Sequence, residues 1–261
     1  MSTTAHDTMP TNRFLTAIRT GQPQIGLWVT LCSSFSAEIV AGADFDWVVL
    51  DTEHSPSEIE TVLGQLQAFA GSRATPLVRP DWNDAVKVKR LLDIGAPGLL
   101  IPMVQSPAEA EAAVRSMRYP PHGVRGFSGA TRANGFGRYT DYLNRVQEET
   151  ALLVQVETRA ALSCAQEIGT VDGVDGVFFG PADIAADIGR LGQPLHDDVW
   201  ELVLPAARRL IAAGVPVGTL VADAEFGRRL IHEEGFTFVA CGSDTGLLAR
   251  GADTLAARMR T

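Results

Sequence analysis

Short apolar runs alternate along the chain with segments of helical period. The runs have strand length and are rich in β-branched residues, whereas the segments between them repeat apolar residues at helical spacing. Strands are predicted near 25–30, 46–51, 75–79, 97–102, 151–157, 175–180, 215–221 and 236–241. Helices are predicted near 12–20, 34–42, 57–70, 82–94, 107–117, 138–149, 159–168, 197–213, 223–234 and 244–259. Alternation of this kind predicts an α/β protein with a parallel sheet.

We expect the sheet to close into a single (β/α)8 TIM barrel. The chain has 261 residues, which matches one barrel of about 250 residues, and no linker-like stretch divides it. Residues 12–261 are therefore predicted to form the barrel domain, and the polar, aperiodic residues 1–11 a disordered tail. A doubly wound open sheet is the alternative, but no G-x-G-x-x-G follows the first strand.

Composition and charge exclude several classes of partner. The chain is 46% hydrophobic and 20% charged, which is ordinary for a globular protein. Its net charge of −9 gives no general attraction to nucleic acid or to an anionic membrane, so we expect neither as a partner. No apolar run reaches the roughly 20 residues of a membrane span, and no signal peptide is apparent. These features predict a cytoplasmic protein, in which three widely spaced cysteines are inert thiols.

Lysine is almost absent from the chain. Only Lys87 and Lys89 occur, both in the helix predicted over 82–94, and neither ends a strand. A Schiff-base mechanism needs a lysine desolvated beside the substrate. We therefore expect no Schiff-base lysine, and no organic cofactor either.

Polar groups follow four of the predicted strands at the point where each strand ends. They are Asp51 and His54, Arg79, Glu157, and Asp183. Catalytic residues of (β/α) barrels come from the C-terminal ends of several strands. We expect these side chains to converge there, in a set that suits a divalent cation and a small anionic substrate.

Glu157 and Asp183 are the predicted metal ligands. They follow consecutive strands and should be neighbours around the barrel rim. Two carboxylates without clustered cysteine or histidine favour Mg²⁺ or Mn²⁺, with water at the remaining positions. The alternative is that each carboxylate caps the helix that follows it.

His54 is the predicted general base. Asp51 lies three residues before it, and a carboxylate near an imidazole fixes its tautomer and raises its basicity. Glu53, between them, is expected to face another direction. The alternative is a histidine that belongs to a helix-capping turn.

Arg79, flanked by Pro76 and Pro80, is the predicted oxyanion-binding group, because a guanidinium binds an oxyanion through paired N–H groups. An ion pair across the barrel rim is the alternative.

The predicted substrate-binding residues are Trp28, Gln155, Gly180, Ala182, Asp183 and Leu220. Gly180–Asp183 is expected to form a tight turn into a helix start, and the backbone N–H groups of Ala182 and Asp183 point where a substrate carboxylate could bind.

Asp93 and the connection 118–138 each allow two interpretations. Asp93 lies in the last turn of a predicted helix, where the helix dipole disfavours an acid. Either a partner elsewhere or exposure to solvent would explain it. The connection 118–138 contains four arginines and five glycines, which is typical either of a mobile loop that handles an anion or of an exposed, flexible insertion.

Motifs spread from Phe14 to the C-terminus resemble those of the HpcH/HpaI aldolase family, the metal-dependent pyruvate aldolases. The motifs are PQIGLW at 23–28, FDW at 45–47, EH at 53–54, VRP at 78–80, WND at 82–84, LIPMVQ at 100–105, RYPP at 118–121, GVRG at 123–126, QVET at 155–158 and GVDGVF at 173–178. The loop from Phe127 to Arg138 departs from the best-known members, so the natural aldehyde cannot be carried over.

The resemblance implies reversible retro-aldol cleavage of 4-hydroxy-2-oxo acids, such as 4-hydroxy-2-oxoheptanedioate, to pyruvate and an aldehyde. It implies a metal-stabilised enolate, a bound Mg²⁺, Mn²⁺ or Co²⁺, a place in aromatic catabolism, and a homo-hexamer built as a trimer of dimers. Alternatives are a family aldolase for hydroxypyruvate or 2-keto-3-deoxy sugar acids such as rhamnonate and glucarate, a coenzyme A ester lyase, and a non-catalytic sugar-acid binder.

The resemblance also assigns roles to individual residues. It implies that Glu157 and Asp183 hold the cation, that Arg79 stabilises the enolate, and that His54 accepts the proton, directly or through a metal-bound water. Gln155 and the Ala182 N–H would contact the substrate. Asp93 of an adjacent subunit would increase the basicity of the histidine.

Overall fold

Eight parallel strands pair in chain order and close into a barrel in the computed structural model, which describes residues 7–260. The strands are β1 Gln24–Val29, β2 Trp47–Asp51, β3 Thr75–Arg79, β4 Gly98–Ile101, β5 Ala151–Val156, β6 Gly176–Phe179, β7 Val217–Leu220 and β8 Phe238–Ser243. β8 pairs with β1 and closes the sheet. This architecture confirms the predicted TIM barrel.

The helices surround the barrel and follow the predicted order with three differences. They are α1 Arg13–Arg19, α2 Ser34–Ala41, α3 Ile59–Ala68, α4 Ala85–Asp93, α5 Pro107–Met117, α6 Tyr142–Glu149, α7 Arg159–Ser163, α8 Ala165–Gly169, α9 Pro181–Asp187, α10 Asp197–Ala212, α11 Ala224–His232 and α12 Asp244–Arg258. The helix predicted over 159–168 is divided at Cys164, α9 is additional, and Arg132–Gly137 forms a 3-10 helix inside the long connection.

α1 closes one end of the barrel. The Asn12 side chain donates to the Pro97 carbonyl, and Arg19 pairs with Asp175, so α1 lies where β4 and β6 begin. Phe14 of α1 enters the barrel interior, with its ring 5.4 Å from Trp47 and 5.7 Å from Phe238. Side chains thus fill the barrel interior at this N-terminal end of the strands.

The described part of the predicted tail contacts the barrel. The Met9 N–H donates to Asp141 at 2.8 Å, and the Thr140 N–H donates to the Asp7 carbonyl at 2.9 Å. Residues 1–6 lie outside the described residues, and the disorder predicted for 1–11 stays a prediction. Among residues 7–260, no helix is both long and apolar enough to cross a membrane.

α12 differs from the other long helices because its apolar side chains are not covered. Asp244 at its start is buried, but Leu247, Leu248, Leu255 and Met259 are 61–80% exposed. Within the described residues of one chain, this helix leaves an apolar stripe facing solvent.

Candidate active site

Asp51 and Arg79 are the last register pair of β2 and β3. In-register residues on neighbouring strands point to the same face, so both side chains enter the C-terminal end of the barrel. Arg79 Nε donates to Asp51 Oδ1 at 2.9 Å and Nη2 donates to Oδ2 at 2.7 Å. Strand register thus brings Asp51 to Arg79, and the expectation that Asp51 orients His54 stays a prediction.

Glu53 is the carboxylate beside His54. Its Oε2 lies 2.8 Å from Arg79 Nη1 and 3.9 Å from His54 Nε2. Burial raises the pKa of Glu53, and the opposing effects of Arg79 and His54 do not cancel it. The expectation that Glu53 faces away from the site is therefore wrong. The His54 side chain is 68% exposed and is therefore accessible from solvent.

Trp28 supports Arg79 from inside the barrel. The guanidinium carbon lies 5.2 Å from the centroid of the Trp28 ring, a cation–π contact. Trp28 itself is buried and packs 5.3 Å from Phe178. Leu220, at the end of β7, packs against the same apolar cluster. Trp28 is thus placed to fix the arginine, while Leu220 lies at the rim.

Glu157 follows β5 and is buried. Its Oε1 accepts from the Met103 N–H at 2.7 Å, and its Oε2 accepts from Gln155 Nε2 at 2.5 Å. Burial raises the pKa of Glu157 to about 7, and the nearby Asp183 and Glu53 carboxylates add to the effect. The helix after β5 is capped by Thr158, whose hydroxyl accepts from the Ala161 N–H. Glu157 therefore does not serve as that helix cap.

Gly180 leaves room for the Glu157 carboxylate. A Cβ atom at position 180 would lie 2.6 Å from Glu157 Oε2 and 3.2 Å from Gln155 Nε2. A distance of 2.6 Å is below van der Waals contact, so only glycine allows this approach. The predicted role of Gly180 as part of the site thus has a geometric basis in the packing of β5 against β6.

Asp183 and Ala182 lie exposed in the first turn of α9. Asp183 raises the pKa of both Glu157 and Glu53, which shows that the three carboxylates share one region. The cap residue of α9 is Gly180, which has no side chain to accept from the first turn. The backbone donors of this turn are therefore open toward the site.

The donors at this rim fit a divalent cation. Glu157 is a buried carboxylate whose negative charge is disfavoured without a counter-ion, and Gln155 Oε1 is buried without a hydrogen-bond donor from the described residues. A cation would relieve both conditions. Within residues 7–260, no group of three or more His, Cys, Asp or Glu side chains forms a metal-binding cluster. The fit is therefore to two carboxylates, with substrate and water as further ligands.

Asp93 has a partner within its own chain. Its Oδ1 lies 2.8 Å from Nη2 of the buried Arg125, which also stacks over the Tyr119 ring at 4.6 Å. This ion pair explains why an acid is tolerated at the end of α4. The expectation that Asp93 acts on His54 of a neighbouring subunit stays a prediction.

The arginines of the connection 118–138 are engaged by the chain itself. Arg118 pairs with Asp172, Arg132 donates to the Ile94 carbonyl, and Arg138 donates to the Gly135 carbonyl. With Arg125 bound to Asp93, each of the four arginines has an intramolecular partner. Arg118, Arg125 and Arg132 therefore fasten this connection to the rest of the chain, whereas the contact of Arg138 lies within the connection.

Sequence reasoning missed two groups at this site. Glu53 was set aside although it lies directly beside His54, and its position depends on a turn in which its N–H donates to Asp51 Oδ1 at 3.0 Å. The Met103 N–H, which binds Glu157, depends on a positive φ of 52°. The EH pair was a usable signal for Glu53, whereas nothing in the sequence marks the backbone donor.

Comparisons with known proteins agree on one family. The family model for HpcH/HpaI aldolase/citrate lyase matches residues 24–251. The chain is 51% identical over 248 residues to 4-hydroxy-2-oxo-heptane-1,7-dioate aldolase of Klebsiella pneumoniae subsp. pneumoniae, covering 95% of this chain and 93% of that one. It is 53% identical over 253 residues to a pyruvate aldolase of Rhizobium etli, covering 97% and 99%.

A solved structure extends the likeness to three dimensions. It is an HpcH/HpaI aldolase/citrate lyase family protein of Burkholderia cenocepacia J2315, with a TM-score of 0.92 and 35% identity over 96% of this chain and 100% of that one. The chain belongs to the HpcH/HpaI aldolase/citrate lyase family.

Proposed function

We propose that the protein is a class II pyruvate aldolase that cleaves 4-hydroxy-2-oxo acids reversibly to pyruvate and an aldehyde, with 4-hydroxy-2-oxoheptanedioate as a substrate. The activities for which the two relatives are named support this activity and this substrate class. The observation that carries the proposal is the buried Glu157, beside Asp183 and across the rim from Arg79. This arrangement provides a site for a cation and a fixed guanidinium for a developing anion.

Glu157 and Asp183 would hold the divalent cation, Mg²⁺, Mn²⁺ or Co²⁺. When bound, such a cation supplies Lewis-acid stabilisation of negative charge on the keto oxygen. The open N–H groups of Ala182 and Asp183 would bind the substrate carboxylate, and the Gln155 amide would orient it. Absence of an organic cofactor stays a prediction.

His54 and Arg79 would perform the remaining chemistry. In the cleavage direction, His54 accepts the proton of the 4-hydroxyl group while the C3–C4 bond breaks and the aldehyde forms. The electron pair of that bond becomes the pyruvate enolate, whose oxygen receives hydrogen bonds from the N–H groups of Arg79 that Asp51 and Glu53 do not engage. His54 then returns its proton to the enolate carbon, which yields pyruvate and restores the neutral base.

The exposed stripe on α12 supports a homo-oligomer. Leu248, Leu255 and Met259 recur at helical spacing, and a second copy of the chain could cover them. We propose a hexamer, as the family resemblance implies, in which Asp93 of one subunit approaches His54 of another. A cytoplasmic location is proposed with it.

Two alternatives are less well supported. A coenzyme A ester lyase would need a basic groove for the nucleotide, and of the four arginines of 118–138 two are ion-paired with Asp172 and Asp93 and two are hydrogen-bonded to backbone carbonyls. An aldolase for hydroxypyruvate or 2-keto-3-deoxy sugar acids would use the same metal ligands, base and arginine. It would differ in the 2-oxo acid that serves as donor or in the aldehyde that serves as acceptor. A panel of donors and aldehydes would distinguish it.

The test is cleavage of 4-hydroxy-2-oxoheptanedioate with and without EDTA. We expect EDTA to abolish cleavage, Mn²⁺, Co²⁺ or Mg²⁺ to restore it, and borohydride with pyruvate to trap no adduct. A Lys87→Arg/Lys89→Arg double variant is the matched control and should retain cleavage, since both lysines lie on α4, where Lys87 pairs with Asp81 and arginine keeps the charge. A pyruvyl-lysine adduct detected by mass spectrometry would contradict the proposal.

A further inference from the structure

Glu53 has a position that the roles assigned above leave unexplained. One of its carboxylate oxygens, Oε2, faces both Arg79 Nη1 at 2.8 Å and His54 Nε2 at 3.9 Å. Only 15% of its side chain is exposed. A single oxygen therefore lies between the group that would receive the enolate and the group that would receive the proton.

Glu53 is held in this position by a closed set of contacts. Its backbone N–H donates to Asp51 Oδ1 at 3.0 Å, and Asp51 binds Arg79 through both oxygens. Arg79 in turn faces the Glu53 carboxylate. Because the backbone and the side chain of Glu53 are tied to the same ion pair, movement of its carboxylate away from Arg79 would break the set.

Neutralising Arg79 does not require Glu53. Asp51 already provides a bidentate, buried counter-ion. A second carboxylate adds a desolvation cost, which appears as the raised pKa of Glu53. Its buried Oε2 accepts no well-aligned hydrogen bond from the described residues, so the contact with Arg79 is an ion pair with accepting capacity left over. The group that could use this capacity is the imidazole of His54.

We propose that Glu53 is a positioning residue of the reaction, whose Oε2 aligns the His54 imidazole beside the Arg79 guanidinium and stabilises the imidazole once it carries the proton. The inference rests on the proposed aldolase function. It assigns to Glu53 the part that sequence spacing had suggested for Asp51. It also explains why a partly buried acid remains beside two metal-ligand candidates.

Glu53→Gln separates this role from a structural one, because it keeps the size of the side chain and removes its charge. We expect the metal-dependent exchange of pyruvate methyl protons with solvent to slow by about 10–100-fold, part of what a positioned base contributes. The Kd of pyruvate, measured with saturating Mn²⁺, should stay equal or decrease, since Arg79 loses one competing anion. Glu53→Asp keeps the charge on a shorter side chain. Its rate of pyruvate proton exchange should lie between the rates of the unsubstituted protein and of Glu53→Gln.

Glu58→Gln is the matched control, because Glu58 lies exposed on the same loop and its side chain makes no cap hydrogen bond. Unchanged exchange in Glu53→Gln, or a rate loss matched by an equal weakening of pyruvate binding, would overturn the inference. If Glu53→Gln does not fold, Glu53→Asp decides: slower exchange with retained binding supports the role, and full exchange overturns it. Absence of exchange in the unsubstituted protein with metal would instead contradict the proposed function itself.

Discussion

Arg79 binds both carboxylate oxygens of Asp51, at 2.9 and 2.7 Å, where β2 and β3 end. Both side chains are buried, so the pair is removed from solvent except where it faces the site. Because Asp51 holds the Arg79 guanidinium through two hydrogen bonds, the guanidinium keeps one position, and a ligand has to bind to it there. This preorganisation is what an oxyanion-binding group requires.

Asp51→Asn should therefore lower both stability and activity. Loss of one partner leaves the Arg79 charge buried and incompletely paired, and we expect the free energy of unfolding to fall by about 3 kcal/mol. Denaturant titration measures the change. Asp44→Asn, which removes a partner of the exposed Arg73, is the control and should leave stability nearly unchanged. Equal stability of the two variants would contradict the buried-pair account.

Arg79→Lys should separate binding from chemistry. Lysine keeps the charge but not the paired donors, so we expect kcat to fall by about 10²–10³, the range for loss of an oxyanion contact. The KM for the oxo acid should change much less. Steady-state kinetics on the metal-saturated protein measures both, and a loss confined to KM would make Arg79 a carboxylate anchor instead.

Gly180→Ala should weaken metal binding without unfolding the barrel. The added Cβ would lie 2.6 Å from Glu157 Oε2 and would push the carboxylate out of place. We expect the Kd for Mn²⁺ to rise by at least about 10-fold, as for loss of a supporting contact. Gly129→Ala is the control, since a Cβ there meets no atom within 4 Å. Wild-type affinity in Gly180→Ala would show that the close approach has no bearing on metal binding.

Metal affinity should depend on pH through Glu157. Its pKa is about 7 in the metal-free fold, against an ordinary value of 4.5. The folded carboxyl therefore keeps a proton that the unfolded chain releases, and this group makes the metal-free protein less stable as pH rises from 4.5 to 7. A cation must displace that proton, so affinity should increase about tenfold per pH unit below the folded pKa and level off above it.

Mn²⁺ titrations on both sides of pH 7 test this expectation. Glu157→Gln should bind Mn²⁺ weakly at every pH and lose the slope. A flat profile in the unsubstituted protein would mean that Glu157 is not protonated before the metal binds.

The barrel could be predicted from sequence because its signals are local. Each strand is a short apolar run, and each end was placed within about three residues, as is usual for such boundaries. α9 was not among the predicted helices, and only its start was expected, in the turn Gly180–Asp183. Its presence matters, since it carries Ala182 and Asp183.

Contacts between residues far apart in sequence were harder to predict than the identity of the candidate residues. Asp51 and Arg79 lie 28 residues apart, and only the register of β2 against β3 brings them together. Asp93 and Arg125 are 32 residues apart, and their contact depends on how the connection 118–138 folds back. Sequence spacing instead suggested the local pair Asp51 and His54. The side chains at the strand ends could thus be named from the sequence, while their partners required the structure.

The exposed face of α12 gives a test of the oligomer. A Leu248→Asp/Leu255→Asp double variant places charge on the apolar stripe and should reduce the molar mass measured by light scattering. Leu191→Asp is the control, because Leu191 is 80% exposed in a loop. Unchanged mass in the double variant would show that α12 is not part of a subunit interface.

The most direct test of the central claim is exchange of pyruvate methyl protons with deuterated solvent, followed by NMR. The account predicts exchange that needs a divalent cation, stops with EDTA, and falls strongly in Glu157→Gln and His54→Ala. Exchange that continues after complete removal of metal, or binding of pyruvate without any exchange when metal is present, would contradict an aldolase that acts through a metal-stabilised enolate.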